Sequence, residues 1–199
     1  MAENKVLHTG HPIRYTHAKT DSDRICFMFS GDGYTYEKPL LYYATMVMLE
    51  NRIDVVQIHY AYEADLLKKP LEDVTETLMA DIDTVIEEVL QNGEYQDSVF
   101  LGKSLGTISI ANALMKRQGF SGSKILLTPL LNIVPVFESL LKSGHAGLLV
   151  IGDQDLHFDI DKIEQLRQTR FQIEVIPNGN HSLEIGEFDT PASISAWPI

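Results

Sequence analysis

The chain has 199 residues, 44% of them hydrophobic and 22% charged, which is enough for one sizeable core and short for two full domains. Its formal net charge of −12 argues against a general attraction to nucleic acid or to an anionic membrane surface. The single cysteine, Cys26, cannot form an internal disulfide, and no apolar run approaches the ~18 residues that span a bilayer. We therefore expect a cytoplasmic protein that binds neither nucleic acid nor membrane.

Short apolar runs alternate with longer amphipathic segments along the chain. This order is typical of βαβ units and predicts an α/β fold with a doubly wound, mostly parallel sheet and helices on both faces. In chain order, the predicted strands are residues 24–29, 54–59, 98–101, 124–127, 147–151 and 171–176. A further strand near residues 12–17 is expected at an edge of the sheet, with a direction that the sequence leaves open.

Helices are predicted between these strands. The clearest spans residues 70–91, where Val74, Leu78, Ile82 and Val85 recur at helical spacing. Its other face is acidic, which indicates a solvated surface, because acids spread around a helix do not converge on one metal ion. The other helices are expected at residues 37–50, 105–117, 134–141 and 159–168. No repeat or linker marks a boundary, so residues 1–199 are interpreted as one domain without a large cap.

The pentapeptide Gly102-Lys103-Ser104-Leu105-Gly106 follows a predicted strand and opens a helical segment. In a G-x-S-x-G nucleophile elbow the serine occupies a sharp strand-to-helix turn, so the residues two before and two after it must be nearly free of side chain. Glycine at 102 and 106 meets this requirement. Ser104 is therefore a candidate nucleophile, and a tight turn without activity is the structural alternative.

An activated serine needs a base to accept its proton and a carboxylate to orient that base. Gly152-Asp153-Gln154-Asp155 follows the strand at 147–151, and Gly179-Asn180-His181-Ser182 follows the strand at 171–176. The carboxyl ends of parallel strands meet at one edge of the sheet, where ligands bind. An acid and a histidine are therefore expected beside Ser104.

With its candidates in the order serine, acid, histidine, the chain resembles the α/β-hydrolase superfamily over roughly residues 24–183. The resemblance implies Ser104 as nucleophile, His181 as general base and Asp155 as the acid, because the family's common turn after this strand reads G-x-x-D. Asp153 is a competitor on distance alone. The compact size is similar to the small dienelactone-hydrolase-like and serine-esterase-like members.

The same resemblance implies an oxyanion hole formed by the backbone N–H groups of Leu105 and Asp32. Asp32 lies between Gly31 and Gly33 in the loop after the strand at 24–29. Because a carboxylate opposes a developing anion, its side chain is expected to point away from the site. A glycine-containing turn without a catalytic role is the alternative.

The segment 128–146 is too short for a large cap, so we expect an open site with at most a small rim of exposed apolar side chains from residues 128–131 and 134–137. Tyr34, Leu130 and Phe137 are the candidate substrate-binding residues, and packing beneath the sheet is the structural alternative for the rim. Lys103 is expected either to lend positive potential near an anionic substrate or to be solvated.

Together these features predict a serine hydrolase that cleaves a small carboxylic ester or thioester through an acyl-enzyme on Ser104. No cofactor is implied, and a metal site is not expected because no two histidines have metal-ligand spacing. The alternative is a weakly active or inactive hydrolase-fold binding or scaffold protein. Asp32 favours it, as does the short C-terminal end, where exposed apolar surface would suit a homodimer.

Overall fold

The computed structural model describes residues 2–8, 11–59, 65–118, 122–186 and 189–198, which form an eight-stranded sheet with helices on both faces. The strands are β1 Ala2–His8, β2 His11–Ala18, β3 Arg24–Phe29, β4 Asp54–His59, β5 Asp97–Lys103, β6 Lys124–Leu127, β7 Gly147–Gly152 and β8 Phe171–Ile176. Their order across the sheet is β1-β2-β4-β3-β5-β6-β7-β8. The strands from β3 to β8 are mutually parallel, and β2 is antiparallel to both β1 and β4.

Two groups of helices cover the sheet. The helices are α1 Pro39–Glu50, α2 Leu71–Gln91, α3 Leu105–Asn112, α4 Val134–Leu141, α5 Ile160–Leu166 and α6 Thr190–Ala196. Helices α2 to α5 pack on one face of the sheet, while α1 and the segment that ends in α6 and Trp197 pack on the other. The predicted doubly wound α/β architecture is confirmed.

Strand β3 shows why these apolar runs lie in the middle of the sheet, since residues 25–29 are fully buried. Side chains alternate between the faces of a strand. Phe27 and Phe29 therefore stack with Phe100 on the face covered by α2 to α5, at ring-centroid distances of 5.8 and 6.4 Å. Cys26 lies on the opposite face, where burial raises the pKa of its thiol to about 12, as expected of an inert structural cysteine.

The N-terminal strands differ from the prediction. The strand expected near residues 12–17 is β2, but it is not at the edge, because β1 pairs along its outer side with Val6 opposite Ile13. The sequence of β1 is largely polar, which suits an edge strand but hides it from an apolar-pattern search.

Two further differences concern the predicted helices. The helix expected at 105–117 is α-helical only to Asn112, and a short 3₁₀ turn at Leu114–Lys116 follows it. Helix α6 was not predicted. Trp197, just after it, is buried and its indole N–H donates to the carbonyl of Leu183 at 2.7 Å.

The C-terminal end covers its face of the sheet incompletely. A mainly apolar recess of about 150 Å³ remains beside α1, with Ala44, Leu148, Leu183 and Pro198 in its lining. Homodimer formation through this face stays a prediction. Among the described residues, no helix combines the length and the apolar character needed to cross a membrane.

Candidate active site

Ser104 occupies the turn between β5 and α3. Its backbone angles, φ 49° and ψ −112°, lie outside the regions that a residue with a side chain normally adopts. Its own N–H donates to the carbonyl of Leu127 at 3.0 Å, and the N–H of Thr107 donates to its carbonyl at 2.9 Å. Hydrogen bonds to the neighbouring strand β6 and to helix α3 thus hold the strained turn in place.

The glycines of the pentapeptide are required by close packing. A Cβ at Gly106 would lie 2.3 Å from the carbonyl oxygen of Phe29, and one at Gly102 would lie 2.8 Å from the carbonyl oxygen of Gly106. Any side chain at 106 would push α3 away from β3. The requirement expected from the sequence pattern is met in the structure.

The structure brings Ser104, His181 and Asp155 into one chain of hydrogen bonds. His181 Nε2 lies 2.8 Å from Ser104 Oγ, and His181 Nδ1 lies 2.8 Å from Asp155 Oδ2. With the ring proton on Nδ1, the imidazole donates to the carboxylate and accepts from the serine hydroxyl. This arrangement can take a proton from Ser104 and stabilise the cationic ring that results.

The Asp155 side chain is fully buried yet ionises readily. Burial alone would raise the pKa of its carboxyl group, but hydrogen bonds from His181 and from the backbone N–H of His157 outweigh burial and hold that pKa below its ordinary value. The carboxylate is therefore negative at neutral pH and able to orient His181.

Asp153, the competing acid, has different contacts. Its Oδ1 accepts from the backbone N–H of Asn178 at 2.8 Å and from the Gln154 side chain at 3.1 Å. Asp153 therefore joins the loop after β7 to the loop after β8, while Asp155 is the aspartate that contacts His181.

These two loops are also packed backbone against backbone. The N–H of Gln154 donates to the carbonyl of Gly179 at 3.0 Å. A Cβ at Gly152 would lie only 1.9 Å from that same carbonyl oxygen. The loop that carries the acid and the loop that carries the histidine are thus fixed to each other.

The loop after β3, which holds Asp32, abuts the elbow. A Cβ at Gly31 would lie 3.2 Å from the Cβ of Ser104, and the Asp32 side chain is exposed to solvent. Leu105 is the first residue of α3, where a backbone N–H has no carbonyl partner within the helix. Both segments thus lie next to Ser104, and the oxyanion-hole role of the two N–H groups stays a prediction.

The candidate substrate-binding residues have different surroundings. Leu130 packs in the core at 4% exposure, so the expectation that it is an exposed rim residue is wrong. Phe137 is half-buried against the same core, with the Lys162 ammonium 5.5 Å from its ring centroid. Tyr34 is buried, and its hydroxyl accepts from the N–H of Leu40 at 3.2 Å. The large hydrophobic side chains that are exposed after β6 and β7 are Val134, Leu156 and Ile160.

Lys103 is not solvated, which corrects one of the two expectations for it. The side chain is 1% exposed, and its Nζ donates to the carbonyl of His181 at 3.0 Å and to Thr128 Oγ1 at 3.2 Å. Burial lowers the pKa of Lys103 to about 8, although the charges of Asp155 and Glu184 act in the opposite direction. Alternation along β5 gives no signal for this burial, because residues 99–103 are all buried, on both faces of the strand.

The structure also brings together a group of possible metal ligands that sequence spacing did not reveal. Asp155, His157 and His181 each offer one ligand atom, and these atoms lie within 4.8 Å of one another. Spacing missed the group because its members come from the loops after two different strands. A metal ion there would compete with the hydrogen bonds between Asp155, His181 and Ser104. That the protein needs no metal or other cofactor stays a prediction.

Comparison with known proteins supports the fold. No family model matches the chain, and no curated protein matches it. Among solved structures, Est1E from Butyrivibrio proteoclasticus is similar at 15% identity, with a TM-score of 0.74 over 98% of this chain and 95% of that one. An α/β serine hydrolase homologue from Coxiella burnetii gives 15% identity and a TM-score of 0.72 over 98% and 92%.

The esterase Pf2001 from Pyrococcus furiosus gives 10% identity and a TM-score of 0.68 over 88% of this chain and 83% of that one. At sequence identities of 10–15%, the structural similarity shows the fold alone. The strand order, with an antiparallel second strand in an otherwise parallel sheet, agrees with it. The resemblance expected from the sequence is therefore confirmed at this level, and the chain has the α/β-hydrolase fold.

Proposed function

We propose that this protein is a serine hydrolase that cleaves small carboxylic esters or thioesters through an acyl-enzyme on Ser104. The observation that carries the proposal is the pair of 2.8 Å hydrogen bonds that joins Ser104 Oγ to His181 and His181 to Asp155. The strained backbone of Ser104 supports it, because such strain persists mainly where a site over-determines the conformation.

In the proposed mechanism, Ser104 Oγ attacks the substrate carbonyl while its proton moves to His181 Nε2. Asp155 holds the imidazole and stabilises its cationic form. The backbone N–H groups of Leu105 and Asp32 stabilise the oxyanion of the tetrahedral intermediate. His181 then protonates the departing alkoxide or thiolate, and an acyl-enzyme remains.

Deacylation uses the same groups in reverse order. His181 takes a proton from a water molecule, which attacks the acyl carbonyl. When the second tetrahedral intermediate collapses, the proton returns to Ser104 and the carboxylic acid leaves. Because the leaving group departs in the first half-reaction, esters and thioesters of one acyl group share the same acyl-enzyme.

The acyl group is proposed to lie against the exposed apolar side chains after β6 and β7, namely Val134, Leu156 and Ile160. Est1E has been solved with ferulic acid bound, so a feruloyl ester belongs in the substrate panel beside short straight-chain acyl esters. Comparing p-nitrophenyl esters with the corresponding acyl thioesters decides which leaving group is preferred.

The proposal is tested by labelling with a fluorophosphonate probe and by hydrolysis of p-nitrophenyl acetate. Wild-type protein is expected to be labelled on Ser104, and Ser104→Ala is expected to lose both labelling and turnover. Ser109→Ala is the matched control, because Ser109 is buried in α3 and belongs to no part of the proposed mechanism. A folded wild-type protein that neither reacts with the probe nor hydrolyses any ester or thioester of the panel would instead favour a binding or scaffold role.

A further inference from the structure

The ammonium group of Lys103 lies beneath the proposed catalytic residues and has no role in the mechanism above. Three groups surround it: the carbonyl oxygen of His181 at 3.0 Å, Thr128 Oγ1 at 3.2 Å and the ring of Tyr34, whose centroid is 4.4 Å away. An ammonium has three N–H donors, and these contacts provide two oxygens and one aromatic face for them. The cation is thus bound from three sides.

These contacts come from separate loops. Tyr34 follows β3, Thr128 follows β6 and His181 follows β8, while Lys103 itself ends β5 directly before Ser104. The carboxylate of Asp155, in the loop after β7, and that of Glu184 attract the same cation. One side chain thereby connects the elbow with the other loops that form the site.

Thr128, one of the residues that Lys103 contacts, is held tightly by its surroundings. It is completely buried and has φ 46°, which is costly for a β-branched residue. Its N–H donates to the carbonyl of Val150 at 2.7 Å, and its hydroxyl oxygen accepts from Lys103. Such unfavourable backbone angles persist where many surrounding contacts hold the residue in place.

We propose that Lys103 is a positioning residue whose ammonium group holds the backbone of His181 against the nucleophile elbow and so keeps the imidazole aligned with Ser104. Its effect on rate rests on the proposed hydrolase function, whereas its effect on the His181 loop does not. The charge matters because a charge-assisted hydrogen bond is roughly twice as strong as a neutral one.

The test compares Lys103→Met with Lys124→Met. Lys124 is an equally buried lysine at the opposite end of β6, over the ring of Phe100, and its pKa is also lowered to about 8 by burial. Activity on p-nitrophenyl acetate is measured at pH 7. Lys103→Met is expected to lower kcat about 10- to 100-fold with little change in KM. Lys124→Met is expected to keep kcat within about twofold of wild type.

Hydrogen exchange of the backbone supplies a readout that needs no turnover. In Lys103→Met, the described residues 178–186 are expected to exchange faster than in wild type and in Lys124→Met. If Lys103→Met does not fold, Lys103→Gln replaces it. Its neutral amide removes the charge at this position, so kcat is again expected to fall and residues 178–186 are expected to exchange faster than in wild type.

A folded Lys103 variant with kcat within twofold of wild type and unchanged exchange at residues 178–186 would overturn the proposal. The results differ if the proposed hydrolase function is wrong. In that case wild-type protein shows no probe labelling and no turnover, while faster exchange at residues 178–186 in Lys103→Met still supports the hold on the loop.

Discussion

Two aspartates that stand two positions apart in one loop have separate tasks in this molecule. Asp155 accepts from His181, whereas Asp153 accepts from the backbone of Asn178. Asp155→Asn places an amide where the imidazole N–H needs a carboxylate, so kcat is expected to fall about 10³-fold or more. Asp153→Asn is expected to lower kcat less than about tenfold. Steady-state kinetics on both variants, with melting temperatures to verify folding, checks the assignment. An equal or larger loss in Asp153→Asn would reverse it.

The sequence could predict Ser104, Asp155 and His181, because each stands in a short pattern directly after an apolar strand. It could not predict the surroundings of Lys103 or Leu130. Whether a side chain at the end of a strand meets water or a neighbouring loop depends on loops that are distant in sequence. For Lys103 those loops carry Thr128 and His181.

Helix α3, which follows the elbow, contains a buried serine whose hydroxyl group makes no hydrogen bond within the described part of the chain. Ser109 Oγ has no hydrogen-bond partner among the described residues, although the side chain is fully buried. Ser109→Ala removes an unsatisfied hydroxyl and improves helix propensity, so the free energy of unfolding is expected to rise by about 1 kcal/mol. Urea denaturation measures the change.

Ser193 is the matched control for this prediction. It is equally buried, but its Oγ accepts from the N–H of Ile185 at 2.8 Å and donates to the carbonyl of Asp189 at 2.7 Å. Ser193→Ala is expected to lower the free energy of unfolding by about 1–3 kcal/mol. Destabilisation by Ser109→Ala of the same size would mean that its hydroxyl is satisfied.

At the scale of elements, the strands buried on both faces were predicted well because the apolar signal is continuous along them. Strand β1 was missed, since an edge strand buries too little to need an apolar sequence. The predicted 105–117 helix ran too far because apolar periodicity continues through Leu114, where the backbone has already left the α-helical conformation at Ala113. Helix α6 is short and gives a weak pattern.

Across the whole molecule, the burial of two lysines makes the free energy of unfolding depend on pH in the alkaline range. Burial lowers the pKa values of Lys103 and Lys124 to about 8, against about 10.4 in an unfolded chain. Between these values the unfolded chain binds more protons than the folded one, so stability rises with pH, on the order of 2–3 kcal/mol for each lysine. Above about pH 10 the gain reverses, because buried tyrosines such as Tyr34 have raised pKa values and ionise more easily when unfolded.

Urea midpoints measured from pH 7.5 to 9.5 test this dependence. The midpoint is expected to rise with pH in wild-type protein over this range. Lys124→Met is expected to be more stable than wild type at pH 7.5 and to show a flatter rise. An equally steep rise in Lys124→Met would show that Lys124 does not contribute.

The contact between Gly152 and Gly179 has a consequence for how such a site can change over time. With 1.9 Å between a would-be Cβ at 152 and the carbonyl oxygen of 179, a side chain at 152 fits only if the loop after β8 moves. In a randomised library, variants at 152 should survive only when the segment around 179 has shifted as well. The loop that carries the acid and the loop that carries the histidine would then change in sequence together and not independently.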